Sequence, residues 1–197
     1  KKLLDGSYMD RWRYISHKFQ QPKITKKPIN TIIHLGNTHF GEKLFLPAVY
    51  EQAVYQVNEI NPNLICITGS LTSSNRIEDY KLAKEQLSFL KSPLLILPGF
   101  KDLKKYGWNR YSDLMGDLDP TFINENLRVF GINAVDQHLT HGSVGRTRMR
   151  QICKTFRNTQ DKKLNIVALN HRLLPSPKLK FEQILEDSGS VLKNFTN

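Results

Sequence analysis

The stretch over residues 31–41 reads Thr-Ile-Ile-His-Leu-Gly-Asn-Thr-His-Phe-Gly. Its first five residues are mostly apolar, which predicts one short buried strand over 31–35. Gly36 then opens a polar loop that carries Asn37 and His39. Because open α/β sheets bind ligands in the crevice beyond the carboxyl ends of their strands, this loop is a candidate part of a binding site.

The same pattern occurs twice more along the chain. An apolar run over 64–68 leads into Gly69-Ser70-Leu71-Thr72, and a second run over 93–97 leads into Pro98-Gly99-Phe100-Lys101-Asp102. A glycine at the end of each strand suits a backbone that turns sharply or approaches another segment closely. The three loops are therefore expected to open into one crevice.

Helical patterns separate these strands. Pro47 is expected to be the first residue of a helix, where proline is favoured. The apolar stripe of this helix is predicted to comprise Val49, Ala53, Val54, Val57 and Ile60. The next helix is expected to begin at the N-cap Asn75, with Glu78 completing a capping box. Strands that alternate with helices predict a parallel sheet with right-handed crossovers, covered on both faces.

The second half of the chain continues as an α/β pattern. Apolar runs predict strands over 127–132 and 164–169, and a short helix is expected around Trp108 and Tyr111, followed by a turn over 117–120. Ser143 is expected to cap a basic helix. A final helix is predicted over 181–195.

The composition is that of one globular domain. The chain has 197 residues, of which 39% are apolar and 24% charged, and no run approaches the about 18 apolar residues that a membrane span needs. Residues 1–30 are expected to form a basic N-terminal arm and linker, with a short amphipathic helix in the arm, and residues 31–197 to form the domain. The arm lacks the apolar core of a secretory signal, and Cys66 and Cys153 are expected to be reduced thiols rather than a disulfide. A cytoplasmic location is therefore expected.

The positive charge is concentrated in two blocks. The net charge is +11, and the blocks over 1–30 and 142–181 carry most of the lysine and arginine. Such blocks favour anionic partners, such as nucleic acid or an anionic membrane. A solvated basic surface that only aids solubility explains them equally well, because no aromatic-interleaved RNA-binding motif or zinc-finger spacing accompanies the charge.

Four loop segments carry a family resemblance. They read Asn37-Thr38-His39-Phe40-Gly41, Thr68-Gly69-Ser70-Leu71-Thr72, Pro98-Gly99-Phe100-Lys101-Asp102 and Asn170-His171-Arg172-Leu173-Leu174-Pro175. In order, spacing and preceding strand they resemble the motifs of calcineurin-like metallophosphoesterases, which are Asp-x-His-x-Gly, Thr-Gly-Asp-Leu-Thr, Pro-Gly-Asn-His-Asp and His-His-Pro-Leu-x-Pro. The resemblance implies a four-layer α-β-β-α sandwich. Because the last family motif, Gly-His-x-His, does not occur before residue 197, the domain is expected to lack its last strands.

The resemblance also assigns family roles to single positions. The family ligands of the two metals correspond here to Asn37, His39, Ser70, Phe100 and Asn170, and only His39 keeps the family residue. Lys101 stands at the position of the histidine that protonates the leaving group. Asp102 matches a residue that supports the loop, and His171 matches a histidine that is not a ligand.

These replacements weaken any site for two dications. Two carboxylates have become neutral and Lys101 adds a positive charge, so no metal cofactor is expected. If the chain is an enzyme, the resemblance implies two divalent metals (Mn, Fe or Zn). Two alternatives stay open for each of two residues. His39 is either a former ligand that now bonds locally or a retained ligand, and the Lys101 side chain either reaches solvent or binds an anion.

Three functional hypotheses follow. The first is a metal-free pseudoenzyme that acts as a binding or scaffold module for a protein partner or a phosphate-bearing ligand, with an anion site formed by Lys101, His39, His171 and Arg172. The second is an active metal-dependent phosphoesterase with divergent ligands, or one completed by residues beyond 197. The third and weaker hypothesis is a nucleic-acid-binding module that uses the two basic blocks.

Overall fold

A computed structural model of the chain describes residues 30–43, 45–136, 141–157, 163–175 and 184–196. Within these ranges it is a mixed α/β structure with six strands in two small sheets and six helices. In chain order the elements are β1 (Ile32–Gly36), α1 (Pro47–Ile60), β2 (Leu64–Thr68), α2 (Ile77–Leu87), β3 (Leu94–Ile96), α3 (Phe100–Leu103), α4 (Gly107–Met115), β4 (Thr121–Ile123), β5 (Leu127–Ile132), α5 (Arg146–Arg157), β6 (Leu164–Leu169) and α6 (Ser188–Thr196).

The first sheet is parallel, as the sequence predicted. Its strand order is β1-β2-β3, and Ile32 pairs with Leu64 while Ile65 pairs with Leu94. The central strand β2 is buried along most of its length, which explains its unbroken apolar run. All three strands therefore end at the same edge, and the loops that follow them are neighbours.

The second sheet contains a strand that the sequence analysis missed. Its order is β4-β5-β6, with β4 antiparallel to β5 and β5 parallel to β6. The sequence analysis predicts a turn over 117–120 and no strand directly after it. Residues 121–123 form β4 because they pair with β5, and the backbone NH of Gly131 donates to the carbonyl of Pro120.

Alternation along the strands divides the core into three clusters. Leu64, Cys66, Leu95, Leu97 and Val129 form a cluster that joins the two sheets. The side chains on the other face of the first sheet, including Ile65 and Ile67, pack with residues of α1, α2 and α4. The side chains on the other face of the second sheet, including Ile132, pack with residues of α5 and α6. Each sheet thus contacts the other sheet on one face and helices on the other.

The first two helices differ in detail from the sequence predictions. Helix α1 begins at Pro47 as predicted, but Val49 and Ile60 are exposed, and Tyr50 is buried in the stripe with Val54 and Val57. The N-cap of α2 is Arg76 without a side-chain capping bond. The expected cap, Asn75, adopts a φ of 49° and donates its side-chain amide to the carbonyl of Lys104, so it ties the loop to the end of α3 instead.

The last two helices also begin later than predicted. Helix α5 begins at Arg146 rather than after Ser143, whose NH donates to Ala134, and the Asp187 carboxylate accepts from the NH groups of Val144 and Gly145. Of the helix predicted over 181–195, residues 181–183 lie outside the described residues. Ile184 forms a β-bridge with Arg172, and helix α6 begins at Ser188.

Some expectations remain outside this description. The predicted amphipathic helix in the arm over 1–30 falls on residues 1–29, which lie outside the described residues, so the division into arm and domain stays a prediction. Cys66 and Cys153 are both buried thiols, which confirms the prediction that they form no disulfide. In the part of the chain that the structure describes, no helix is long and apolar enough to cross a membrane.

The cluster between the sheets should carry much of the stability of the fold. Leu97 is fully buried in this cluster, whereas Leu164 on β6 is 60% exposed. We expect Leu97→Ala to lower the free energy of unfolding by about 2–5 kcal/mol, because a cavity replaces well-packed atoms. The same change at Leu164 should cost less than about 1 kcal/mol. Urea denaturation of both variants tests this, and equal losses would show that the inter-sheet cluster is not a packed core.

Candidate functional site

The loops after β1 and β2 lie side by side at the carboxyl edge of the first sheet. The NH of His39 donates to the carbonyl of Ser70 at 3.2 Å, and the NH of Phe40 donates to the carbonyl of Leu71 at 2.8 Å. These bonds extend the parallel pairing of β1 and β2 beyond the strands. The two loops that the sequence singled out are therefore held together by their own backbone.

Two glycines allow the loops to approach more closely than other residues would. Gly69 has a φ of 91°, and a Cβ there would lie 2.8 Å from the Asn37 side-chain oxygen. A Cβ on Gly99 would overlap the backbone of Ser70. The prediction that these glycines serve close approach is confirmed, and the loops after β1, β2 and β3 form one contiguous surface.

Asp102 joins the second loop to the third. Its carboxylate accepts hydrogen bonds from the NH groups of Leu71, Thr72 and Gly99 and from the Thr72 hydroxyl, at 2.7 to 2.8 Å. The side chain is fully buried. Burial raises the pKa of Asp102 above its ordinary value, while the four donors act in the opposite direction. The supporting role that the family resemblance implied for Asp102 agrees with these contacts.

Asn170 joins the fourth loop to the third. Its side-chain NH₂ group donates to the carbonyl of Pro98 at 2.7 Å and to the side-chain oxygen of Asn133 at 3.0 Å. Its own side-chain oxygen accepts from the NH of Ala134 at 3.1 Å. Apart from its neighbour His171, the amide thus bonds to three partners on two other segments, and it works as a crosslink between the second sheet and the third loop.

Asn133 belongs to this cluster, although the sequence analysis did not single it out. It is 1% exposed, and its side-chain oxygen accepts from the NH of Val135 as well as from Asn170. Its NH₂ group has no hydrogen-bond partner among the described residues. The signal that could have found it is a polar residue directly after the apolar strand β5, the same signal that identified the other loops.

The first loop holds its two polar residues in left-handed backbone conformations. Asn37 has a φ of 54° and His39 a φ of 49°. Asn37 is exposed, while the His39 ring nitrogen Nδ1 lies 3.4 Å from the Ser73 hydroxyl and 3.8 Å from a Glu42 carboxylate oxygen. His39 therefore lies in a local polar contact with Ser73 and Glu42.

Phe100 and Lys101 diverge at the start of α3. Phe100 is half-buried and packs against the cluster that contains α1, α2 and α4. Lys101 is exposed, and only its carbonyl has a partner in the described chain, the Asn75 side chain at 3.4 Å. Phe100 thus contributes apolar packing, and the Lys101 side chain is exposed at the edge of the loops.

His171 and Arg172 lie on the fourth loop. The His171 ring nitrogen Nδ1 lies 3.0 Å from the side-chain oxygen of Asn170. Burial and the nearby His141 lower the pKa of His171, so its ring is mostly neutral at pH 7 and adds little charge to an anion site. Arg172 is exposed. No hydrogen bond or ion pair within the described ranges joins Lys101, His39, His171 and Arg172 to one another, so their joint anion site stays a prediction.

The side chains at the family ligand positions do not fit a pair of metal ions. Phe100 has no lone pair, Ser70 offers a neutral hydroxyl, and Asn170 already uses both ends of its amide. Hard divalent cations need several carboxylate, imidazole or carbonyl donors around one point. Among the described residues, no group of three or more His, Cys, Asp and Glu side chains could hold a metal ion.

Sequence comparison finds distant relatives among named glycerophosphodiester phosphodiesterases. No family model matches the chain. It is 22% identical to a probable glycerophosphodiester phosphodiesterase GpdQ of Arcobacter nitrofigilis, over 78% of this chain and 60% of the relative. It is also 30% identical to the glycerophosphodiester phosphodiesterase GpdQ of Enterobacter lignolyticus, over 37% of this chain and 30% of the relative. The chain is a weak homologue of these phosphodiesterases.

This homology agrees with the coarse resemblance in the sequence. The GpdQ proteins belong to the metallophosphoesterase superfamily, and the observed α/β structure with two sheets is compatible with that fold. The chain spans about three fifths of the length of the first relative and about a third of the second.

The buried Asp102 carboxylate should be essential for the shape of the loops. Replacing Asp102 by Ala would leave four donors without an acceptor, and each buried unpaired group costs about 1–3 kcal/mol. We expect Asp102→Ala to lower the free energy of unfolding by at least about 3 kcal/mol. Asp113→Ala, at an exposed position of α4, is the matched control and should change stability by less than about 0.5 kcal/mol. Chemical denaturation measures both, and a mild effect at Asp102 would mean that water replaces its bonds.

The depressed pKa of His171 predicts a pH dependence of stability. Its ordinary pKa is 6.5, and the folded value is lower, so the unfolded chain binds the proton more readily as the pH falls below 6.5. The contribution of His171 to stability is complete above that value and is lost as the pH falls through the folded pKa. Unfolding free energies of the wild type and of His171→Gln at pH 7.5, 6.5 and 5.5 should therefore converge as the pH falls. A constant difference would contradict the assignment to His171.

Proposed function

We propose that this chain is a metallophosphoesterase-like domain that serves as a binding or scaffold module rather than as a two-metal hydrolase. The observation that carries the proposal is Asn170, at a family ligand position, whose amide crosslinks Pro98, Asn133 and Ala134. A ligand side chain in a metal site keeps its donor atom for the metal. Here the donor atoms hold the loops to each other.

Under this proposal, the layers of the fold correspond to the four-layer α-β-β-α sandwich of the family. The three clusters of the core support this correspondence, since one joins the sheets and the other two join each sheet to helices. The loops after β1, β2, β3 and β6 then occupy the positions that hold the metals in active members of the family.

The electrostatics of the loops support the same proposal. The family carboxylates correspond to Asn37 and Ser70, which are neutral, and Lys101 adds a positive charge at the edge of the third loop. Two like unit charges about 4 Å apart repel by about 4 kcal/mol at an effective dielectric constant of 20. A surface of this kind favours an anion over a dication. The partner is accordingly a phosphate-bearing ligand, with Lys101 and Arg172 as the exposed cations that would meet it.

A second candidate function is phosphodiester hydrolysis. It is favoured by the names of the two relatives, both of which are glycerophosphodiester phosphodiesterases. On this hypothesis, His39 is a retained ligand, and the missing donors are divergent ligands or residues beyond 197. The two candidates differ in whether the chain binds metal tightly.

Metal titration separates the two candidates. We expect calorimetry of the wild-type chain with Mn²⁺ to show no binding at micromolar concentration, and a chromogenic phosphodiester to be stable in its presence. The double variant Asn37→Asp, Ser70→Asp restores two carboxylates at the family positions and should bind Mn²⁺ at least tenfold more tightly than the wild type. Binding of two ions per wild-type chain, with hydrolysis that is lost in His39→Ala, would overturn the proposal in favour of the enzyme.

A further inference from the structure

Helix α5 presents a row of cations on its exposed side. Arg146, Arg150, Lys154 and Arg157 are all exposed, and their spacing of four, four and three residues places them within about 80° of arc along a straight helix. The row is about 16 Å long at 1.5 Å per residue. Met149, Ile152 and Cys153 on the other side are buried in the cluster beneath the second sheet. The position of the row is therefore fixed by the core.

Nothing on the helix neutralises these charges. Arg146–Arg157 contains no acidic residue. No ion pair or side-chain hydrogen bond within the described ranges involves any of the four cations. By contrast, Arg148 on another face of the same helix contacts Asp119 and donates to the backbone carbonyl oxygens of Asn133, Ser143 and Val144. Just before the helix, the Asp187 carboxylate is already used by the backbone NH groups of Val144 and Gly145.

The row is unfavourable for the isolated chain. Like charges three or four residues apart repel on a helix. Arg146 in the first turn also opposes the helix dipole, whereas Lys154 and Arg157 in the last turn are favourable to it, so the cost comes mainly from repulsion between neighbours. Mixing acidic residues into the row would remove this repulsion without loss of solubility, as in α2, where Glu78, Lys81 and Glu85 alternate in sign. The cations of the row repel one another in the free protein, and a polyanion that lies along the row would remove this repulsion.

We propose that the exposed face of helix α5 binds the phosphate backbone of double-stranded nucleic acid without reading its sequence. A linear row of cations about 16 Å long matches a polyanion that carries one charge per about 3.4 Å along each strand, so the row faces about five phosphates. Insertion into a membrane surface would require exposed apolar residues on the same helix, and its apolar side is buried. This function is separate from the crevice at the loops and does not depend on its chemistry.

Binding of a labelled duplex of arbitrary sequence, followed by fluorescence anisotropy, tests the proposal. The full chain should bind DNA and RNA duplexes with similar, micromolar affinity at low salt. Since four phosphate contacts are made, the logarithm of the association constant should fall with the logarithm of salt concentration with a slope of about −3 to −4. Duplexes of different sequence should bind within about threefold of one another.

Charge-reversed variants locate the surface. Arg150→Glu lies at the centre of the row and should weaken duplex binding at least tenfold, while its free form should melt at about 1–4 °C above the wild type, because like-charge pairs become opposite pairs. Lys91→Glu makes the same change of charge at an exposed position outside α5 and should weaken binding less than threefold. If Arg150→Glu does not fold, the double variant Lys154→Gln, Arg157→Gln removes two contacts and should lower the salt slope by about 2.

Three outcomes would overturn the proposal. The first is the absence of saturable duplex binding at low salt. The second is an equal loss in Arg150→Glu and Lys91→Glu, which would mean that only the net charge matters. The third is binding to vesicles of phosphatidylcholine with phosphatidylserine in the absence of duplex binding, which would assign the row to a membrane surface. Failure of these tests would leave the proposed role of the loops unaffected, because the Mn²⁺ titration of the wild type and of the Asn37→Asp, Ser70→Asp variant tests that role on different residues.

Discussion

The architecture of the loops depends on one buried carboxylate. Asp102 accepts four hydrogen bonds, three from backbone NH groups and one from the Thr72 hydroxyl. Burying an acidic side chain is unfavourable unless its oxygens are satisfied, and backbone groups in loops have the same requirement. Here the NH groups satisfy the carboxylate, and the carboxylate satisfies the NH groups. Because the donors come from both the second and the third loop, the bonds fix the position of one loop relative to the other.

This dependence explains how the loop framework can tolerate changes in its other side chains. The bonds at Asp102 and the close contacts at Gly69 and Gly99 involve backbone atoms, so they are independent of the side chains that would hold metals. The other side chains of these loops are then free to take separate roles. Phe100 adds apolar packing, and Asn170 becomes a crosslink to the second sheet.

The two proposed functions occupy different parts of the molecule for a physical reason. The proposed ligand surface lies at the carboxyl edge of the first sheet, where three parallel strands bring their loops together and Asn170 of the loop after β6 contacts the third of these loops. The cation row lies on α5, which packs against the outer face of the second sheet. A parallel sheet gathers diverse side chains at one point, whereas a helix distributes one kind of side chain along a line. The first arrangement suits a compact ligand and the second an extended one.

The sequence by itself determined the elements that depend on local pattern. The strands over 64–68, 127–132 and 164–169 and the start of α1 were predicted correctly, because an unbroken apolar run or a proline acts within its own segment. The candidate loops were found because polar residues follow apolar strands directly. The role of the glycines in the close approach of the loops was also predicted, since the lack of a side chain is a property of the residue itself.

Only the tertiary structure decided which partners these residues meet. Strand β4 exists because β5 pairs with it, and Asn75 leaves its predicted cap because the end of α3 offers it an acceptor. Asn170 bonds to Pro98 and Asn133, which lie tens of residues away along the chain, so their distance in space could not be predicted from the sequence. Hydrogen bonds and burial over such separations depend on how the sheets pack, and that packing is a property of the whole chain.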